Sequence, residues 1–315
     1  MTDSFKPKDS EIKASMHDFE AALTANRADL PVLPPLQKIL VVLDGLNQSA
    51  MVLGLAAELA SRHDSALLVG YVYVGPDDSE REQLLTQQIE ILAQQGLNAT
   101  RVARIHSSEP AYAQILTLAE TLKADLMIVP APYAEDFAEL GSDSIGVTLD
   151  KLMTQARPLL VVREPREVPA NSLKPVLLPL SMHVQENPNA AAWALRIIGP
   201  SGTVQMVAVV DEEVLDAAAD IVGEHEAAEL DLDRLAGLDR PVTAGLIAQM
   251  HRHCQKRSLG CGVSVRRGDL VAQVIELAKE GQRLIVTGCD TDPTSRSFRN
   301  VQAIIRCARD PVLVI

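Results

Sequence analysis

The feature that most limits the folds open to this chain is an internal repeat. Short apolar runs of strand length alternate with amphipathic stretches of helix length, and after residue 165 the same order begins again. Residues 113–119 share the pattern Ala-Gln-x-x-x-Leu-Ala with residues 272–278. The apolar run at 158–162, Pro-Leu-Leu-Val-Val, returns at the end of the chain as Pro-Val-Leu-Val-Ile. The sequence therefore predicts two copies of one α/β unit.

Each copy is expected to contain five strands with helices between them. The predicted strands of the first copy are 38–44, 66–74, 100–105, 125–130 and 158–162. Those of the second are 175–180, 203–210, 263–267, 283–287 and 311–315. A length of 315 residues suits two domains of ordinary size. We predict a first domain at 37–164 and a second at 173–315.

The first 36 residues lie outside the repeat. Ile12, Met16, Phe19 and Leu23 recur at helical spacing, which predicts one amphipathic helix. Three prolines between residues 31 and 35 then indicate a linker. Two interpretations of this arm stay open: it packs on its own domain, or it covers a partner subunit. The oligomeric state therefore also stays open, and the protein is expected to be a monomer or a homodimer.

The segment 211–240 interrupts the second copy and concentrates negative charge. It holds eleven acidic residues against two arginines, a net charge of −9. Val214, Ala218, Ile221 and His225 keep helical spacing, so we predict an acidic amphipathic helical insertion. A helix with this much charge usually exposes its charged face to solvent and has no further role. The alternative is a docking surface for a protein partner.

Composition excludes several classes of function. The formal net charge is −13, and a surface this acidic repels the phosphates of nucleic acids and of anionic membranes. The apolar runs are too short to span a bilayer, and the first residues do not resemble a signal peptide. Four cysteines, all after residue 250, do not make a disulfide framework. We expect a cytoplasmic protein that binds neither nucleic acid nor membrane.

The repeat and its motifs resemble the universal stress protein family in its tandem-domain form. Both copies are matched, over about 37–163 and 173–315. The matching segments are 38–49, 124–129, 156–162, 268–275, 284–288 and 310–315. The resemblance implies that each copy is a doubly wound, five-stranded parallel sheet with helices on both faces and a nucleotide cleft at the carboxyl ends of its strands. It also implies that the two closing strands pair with each other, which would make the chain an internal pseudo-dimer.

The family's nucleotide motif is incomplete in the first copy. Members that bind ATP carry an acidic residue after the first strand and a glycine after the fourth, followed by a loop of the form G-x2-G-x9-G-[ST]. The resemblance assigns Asp44, Gly45 and Gly146 to this cleft. Pro130 replaces the glycine after strand four, and it removes a backbone N–H where phosphate should approach. Val147 replaces the loop hydroxyl, and four carboxylates lie just before it in the sequence.

The second copy has lost the complementary parts of the motif. Gly288 is kept after its fourth strand, but Ser181 replaces the acid, and Phe298-Arg299 stands where Gly-Ser is expected. Arg296, Arg299 and Arg306 could meet an anion at the start of the last helix, or they could be paired with carboxylates. We therefore expect ATP to bind weakly at best. The sequence assigns no other cofactor to either cleft.

No pattern in the sequence supports catalysis. There is no Gly-x-Ser-x-Gly nucleophile motif, and no His/Asp pair is placed to activate a nucleophile. His251, His253, Cys254 and Cys261 have ligand types that suit zinc, but their spacing matches no known zinc pattern. We expect no metal site there. The function predicted is a non-enzymatic stress-response role through ligand or partner binding, and the alternative is an ATP-binding or ATP-hydrolysing protein.

Overall fold

The computed structural model describes residues 30–44, 49–73, 79–94, 99–106, 109–133, 144–163, 175–180, 187–212, 215, 232–238, 240–281 and 283–315. The predicted N-terminal helix and most of the acidic segment lie outside these residues, and so does Gly45. The elements, contacts and cavities of this protein are given for those ranges.

The first half alternates five strands with four helices along its described residues. The strands are β1 Lys38–Leu43, β2 Ala66–Tyr73, β3 Ala99–His106, β4 Leu126–Pro130 and β5 Leu159–Val162. The helices are α1 Ser49–His63, α2 Ser79–Gln94, α3 Ala111–Leu122 and α4 Val147–Met153. The apolar strands have the predicted positions to within one or two residues. Helix α4 is short, with seven residues.

The second half repeats this order. Its strands are β6 Pro175–Leu180, β7 Thr203–Val210, β8 Gly260–Arg267, β9 Leu284–Thr287 and β10 Val312–Val314. Its helices are α5 Asn187–Ile197, α6 Leu232–Leu235, α7 Pro241–Lys256, α8 Leu270–Lys279 and α9 Arg296–Cys307. Helix α7 is not among the elements predicted from the sequence. Its inward positions, including Leu246, Met250 and Cys254, are separated by polar residues that hide the apolar stripe.

All ten strands form one sheet, in the order β3-β2-β1-β4-β5-β10-β9-β6-β7-β8. Within each half the strands are parallel, and both halves have the same order when they are counted from their own first strand. The topology thus confirms the α/β class, the doubly wound parallel sheets and the repeat that the sequence predicts.

The core lies on both faces of the sheet. Along β1, Ile39, Val41 and Leu43 face one helical layer, which includes α1, α5 and α7. Leu40 and Val42 face the other layer, formed by α3, α4, α8 and α9. All five of these side chains are fully buried, as strands covered on both faces require. This is the physical reason that the strands read as continuous apolar runs.

The two halves join through their closing strands. Strand β10 pairs antiparallel with β5, and Leu313 lies opposite Leu160 at the centre of the ladder. Beside this ladder, Gln302 Nε2 donates to Asp150 Oδ1 at 2.7 Å. On the other face, Arg62 Nη1 donates to Ile197 O at 2.6 Å. The predicted pairing of the closing strands is confirmed, and it covers an apolar edge that would otherwise invite aggregation.

The proline-rich segment before β1 contacts both halves. Arg196 Nη2, in the second half, donates to Leu33 O at 2.7 Å. Ser65 Oγ, in the first half, donates to Leu36 O at 2.5 Å. The described part of the linker is therefore packed against the domains of its own chain.

Candidate functional site

The expected cleft of the first half lies where β1 and β4 separate from each other at their carboxyl ends. In open parallel sheets, ligands bind at such a point, where the strand order reverses. Asp44 follows β1 directly, as predicted, but only 1% of its surface is exposed. The carboxylate that the sequence assigned to this cleft is therefore buried beneath it.

Tyr133, which lies shortly after β4, reaches the carboxyl ends of β1 and β2 at this edge. Its side chain is 1% exposed. Its hydroxyl lies 2.6 Å from Val72 O and 3.1 Å from Leu43 O, the carbonyls near the ends of those two strands. A phenol with two backbone acceptors in the core is held firmly, because leaving buried polar groups unpaired is costly. Sequence reasoning missed this residue.

The electrostatics of the cluster keep Tyr133 protonated. Burial raises the pKa of Tyr133 well above its ordinary value, and the negative charge of Asp44 and the neighbouring Tyr71 raise it further. Tyr71 is also 1% exposed. Asp44, Tyr71 and Tyr133 thus form a buried polar cluster, which we call the first-half plug. One sequence signal could have pointed to it: Tyr133 is one of few aromatic residues in this chain, and it follows β4 directly.

Gly146 has a structural role at the start of α4. It precedes the helix with a φ of 93°, a conformation that only glycine adopts without strain. Its N–H donates to Ser144 Oγ at 3.0 Å, and its carbonyl accepts from Asp150 N at 3.1 Å. Because its backbone donor already has a partner within the chain, the glycine can be explained without a phosphate.

In the second half, the loop after β9 binds its own backbone. Gly288 follows β9, and the next N–H, of Cys289, donates to Ile315 O at 2.9 Å. Asp290 Oδ1 accepts from Asp292 N at 3.1 Å. Asp292 Oδ1 accepts from Thr294 N and Oγ1, at 2.9 and 2.8 Å, and these two bonds lower the pKa of Asp292. Carboxylates of this loop therefore accept hydrogen bonds from N–H groups of the loop itself.

The three arginines near α9 do not form one anion site. Arg296 is paired with Asp211, with Nη2 and Oδ2 at 2.5 Å. Arg299 is exposed on the first turn. Arg306 lies in the last turn and donates to Ser144 O, in the first half. The prediction that groups Arg306 with the start of this helix is wrong, because three turns of helix separate it from Arg296.

A cavity of about 480 Å³ lies between the two halves at the carboxyl ends of β9 and β10. The first half contributes Met153 and Arg157 to its lining, and the second half contributes Trp193, Asp290 and Ile315. It exists because β5 and β10 are antiparallel, so the loop before β5 reaches the open end of the second half. Sequence reasoning did not foresee a cavity shared by both halves.

The His/Cys group is divided between α7 and β8. No group of three or more His, Cys, Asp or Glu side chains in that part of the chain could hold a metal ion. His251 is exposed, whereas Cys254 is fully buried. The two cysteines do lie close together, since Cys254 and Cys261 share a hydrogen bond.

Membrane insertion finds no support in the helices. None of the helices among the described residues combines the length and the apolar character needed to cross a bilayer.

Comparison with known proteins finds similarity to one family in the first half and to solved structures over both halves. The model of the universal stress protein family matches residues 35–163. A universal stress protein from Archaeoglobus fulgidus DSM 4304 has the same fold, with a TM-score of 0.52 and 11% identity over 88% of this chain and 95% of that one. A functionally unknown protein from Pseudomonas aeruginosa PAO1 has a TM-score of 0.56 and 12% identity, over 93% and 94%. No curated protein sequence matches.

The structural likeness covers both halves, at identities that show the fold alone. The family match covers the first half, and the second half repeats its strand order. Over residues 35–163, this chain is therefore similar to the universal stress protein family.

Proposed function

We propose that this chain is a non-enzymatic universal stress protein of the cytoplasm, acting in the stress response by binding a ligand or a partner. The observation that carries the proposal is the first-half plug. Tyr133 fills the position where a nucleoside would meet the ends of β1 and β2, with its hydroxyl 2.6 Å from Val72 O.

Opening the first cleft would require Tyr133 to leave its place. Exposing a buried side chain of this size costs about 1.5–3 kcal/mol, and each lost hydrogen bond costs about 1 kcal/mol more. A ligand would have to supply this energy, and about 3 kcal/mol lowers an affinity by more than a hundredfold. Asp44 lies in the same plug, so it is not available to a ribose.

The second half is the better place for a ligand. Its cavity is open between the halves, and it combines an apolar lining from Met153 and Trp193 with charged groups from Arg157 and Asp290. Small-molecule sites commonly combine apolar walls with a few polar groups. The self-bonded loop after Gly288 and the pairing of Arg296 with Asp211 both disfavour a triphosphate there.

The alternative function is ATP binding, with or without hydrolysis. Gly288 and the 480 Å³ cavity favour it, because both lie at the carboxyl end of β9, where the family's nucleotide loop begins. On that alternative, nucleotide would bind in the second half and would leave the plug in place.

Titration calorimetry with ATP and Mg²⁺ separates the two proposals. We expect a dissociation constant in the high-micromolar range or weaker, which corresponds to about 5–6 kcal/mol or less. Product chromatography should show no more ADP than a heat-inactivated control. A sub-micromolar constant, or turnover above the control, would favour the alternative. Mass spectrometry of small molecules released by denaturation would identify a bound ligand directly.

A further inference from the structure

Two cysteines lie side by side at the connection between α7 and β8. Cys254 is in the last turns of α7, and Cys261 is the second residue of β8. Leu259 N donates to Cys254 O at 2.8 Å, and Ser258 adopts a left-handed φ of 54°. These features close a tight turn, which brings β8 back along the end of the helix that precedes it.

A side-chain hydrogen bond joins the two thiols, and it lowers the pKa of Cys254 and raises that of Cys261. Arg257, in the same turn, lowers the pKa of Cys254 further. Cys254 is fully buried, whereas Cys261 is only partly buried. Cys254 thus lies in the core, and Cys261 is the more exposed residue of the pair.

The other cysteines have different surroundings. Cys289 donates its thiol to Asp290 O at 3.3 Å, and Cys307 is exposed on α9. They lie on other elements of the second half, so they serve as internal controls.

We propose that Cys254 and Cys261 are an oxidative modification site, at which a hydroperoxide converts the two thiols into an intramolecular disulfide. The thiolate of one of the two cysteines attacks the peroxide and becomes a sulfenic acid, and the hydroxide released takes up the proton that the thiol lost to become one water. The thiolate of the other cysteine then attacks the sulfenic acid sulfur, and the hydroxide that leaves takes a proton to become a second water. In sum, two thiols and one hydrogen peroxide give one disulfide and two waters.

Oxidation at this place joins a helix to the edge of the sheet. Strand β8 is an edge strand of the ten-stranded sheet and pairs with β7. The disulfide would fasten the end of α7 to this strand, and a thiol reductant would release it.

Peptide mapping tests the proposal on the full-length protein. The reduced protein is treated with hydrogen peroxide, denatured, alkylated and digested with trypsin. Cleavage falls after Arg252, Lys256, Arg257 and Arg266. The expected product is peptide 253–256 linked to peptide 258–266, two hydrogens lighter than the sum of the free peptides and absent after dithiothreitol. Of the four cysteines, two should remain open to alkylation.

Matched variants complete the test. Cys254→Ser and Cys261→Ser should each abolish the linked peptide, whereas Cys289→Ser and Cys307→Ser should leave it unchanged. The proposal is overturned if peroxide leaves Cys254 and Cys261 as free thiols in the wild-type protein, or if it oxidises them to sulfinic acids without a linked peptide. It is also overturned if the only disulfide formed joins two chains through Cys307.

Discussion

The two halves of this molecule have the same strand order but treat the carboxyl ends of their strands differently. In the first half, Tyr133 fills the edge and binds the carbonyls of Leu43 and Val72. In the second half, the carboxylates of the loop after β9 accept hydrogen bonds from N–H groups of the same loop. A cavity lies beside this loop. One fold can thus carry different side-chain arrangements at its two carboxyl edges, because the core that sets the fold lies along the strands and not at their ends.

The largest effect is expected from removing the plug. Tyr133→Ala should lower the free energy of unfolding by about 3–5 kcal/mol, since it leaves a cavity where an aromatic ring is buried. Tyr133→Phe keeps the ring and should cost about 1–2 kcal/mol, the value of the lost hydroxyl bonds. Urea unfolding of both variants measures this. Equal, small losses for the two variants would mean that the ring does not fill the first cleft.

A smaller effect is expected at the second cleft, where Arg296 pairs with Asp211. Arg296→Ala and Asp211→Ala should each cost about 0.2–1 kcal/mol, because the pair is partly exposed. The double variant should cost little more than either single one, and about 1 M salt should remove most of the coupling. A double-mutant cycle by urea unfolding measures the coupling free energy between Arg296 and Asp211. Strict additivity would mean that Arg296 is available to an anion.

The smallest effect concerns Asp150, at the junction of the halves. Burial raises the pKa of Asp150, although its bond to Gln302 opposes this. A carboxyl with a raised folded-state pKa costs stability above its ordinary pKa, because the folded state holds the proton more tightly. Asp150→Asn should therefore stabilise the protein by a few tenths of a kcal/mol at neutral pH.

The pH profile provides the control for Asp150. The gain from Asp150→Asn should disappear below about pH 4, the ordinary range of an aspartate, where both states of the wild-type protein are protonated. Thermal unfolding across the range from acidic to neutral pH measures the difference. A gain that did not change with pH would assign the effect to packing.

The fold could be predicted from the sequence, because each buried parallel strand appears in it as an apolar run and these runs repeat in the same order. Polar segments carried less information. Helix α7 shows only a narrow apolar stripe, so it was missed, and the cavity between the halves depends on the antiparallel pairing of β5 with β10. Tyr133 could not be identified as a plug, because its partners Leu43 and Val72 lie 90 and 61 residues away in the chain.

The central claim is that the plug keeps nucleotide out of the first cleft, and ATP titration of two proteins tests it most directly. Asp44→Asn keeps the size of the side chain and removes the carboxylate that the family's motif would offer to a nucleoside. We predict that calorimetry with ATP and Mg²⁺ gives a dissociation constant in the high-micromolar range or weaker for the wild type, unchanged in Asp44→Asn. A sub-micromolar constant that is lost in Asp44→Asn would contradict the account.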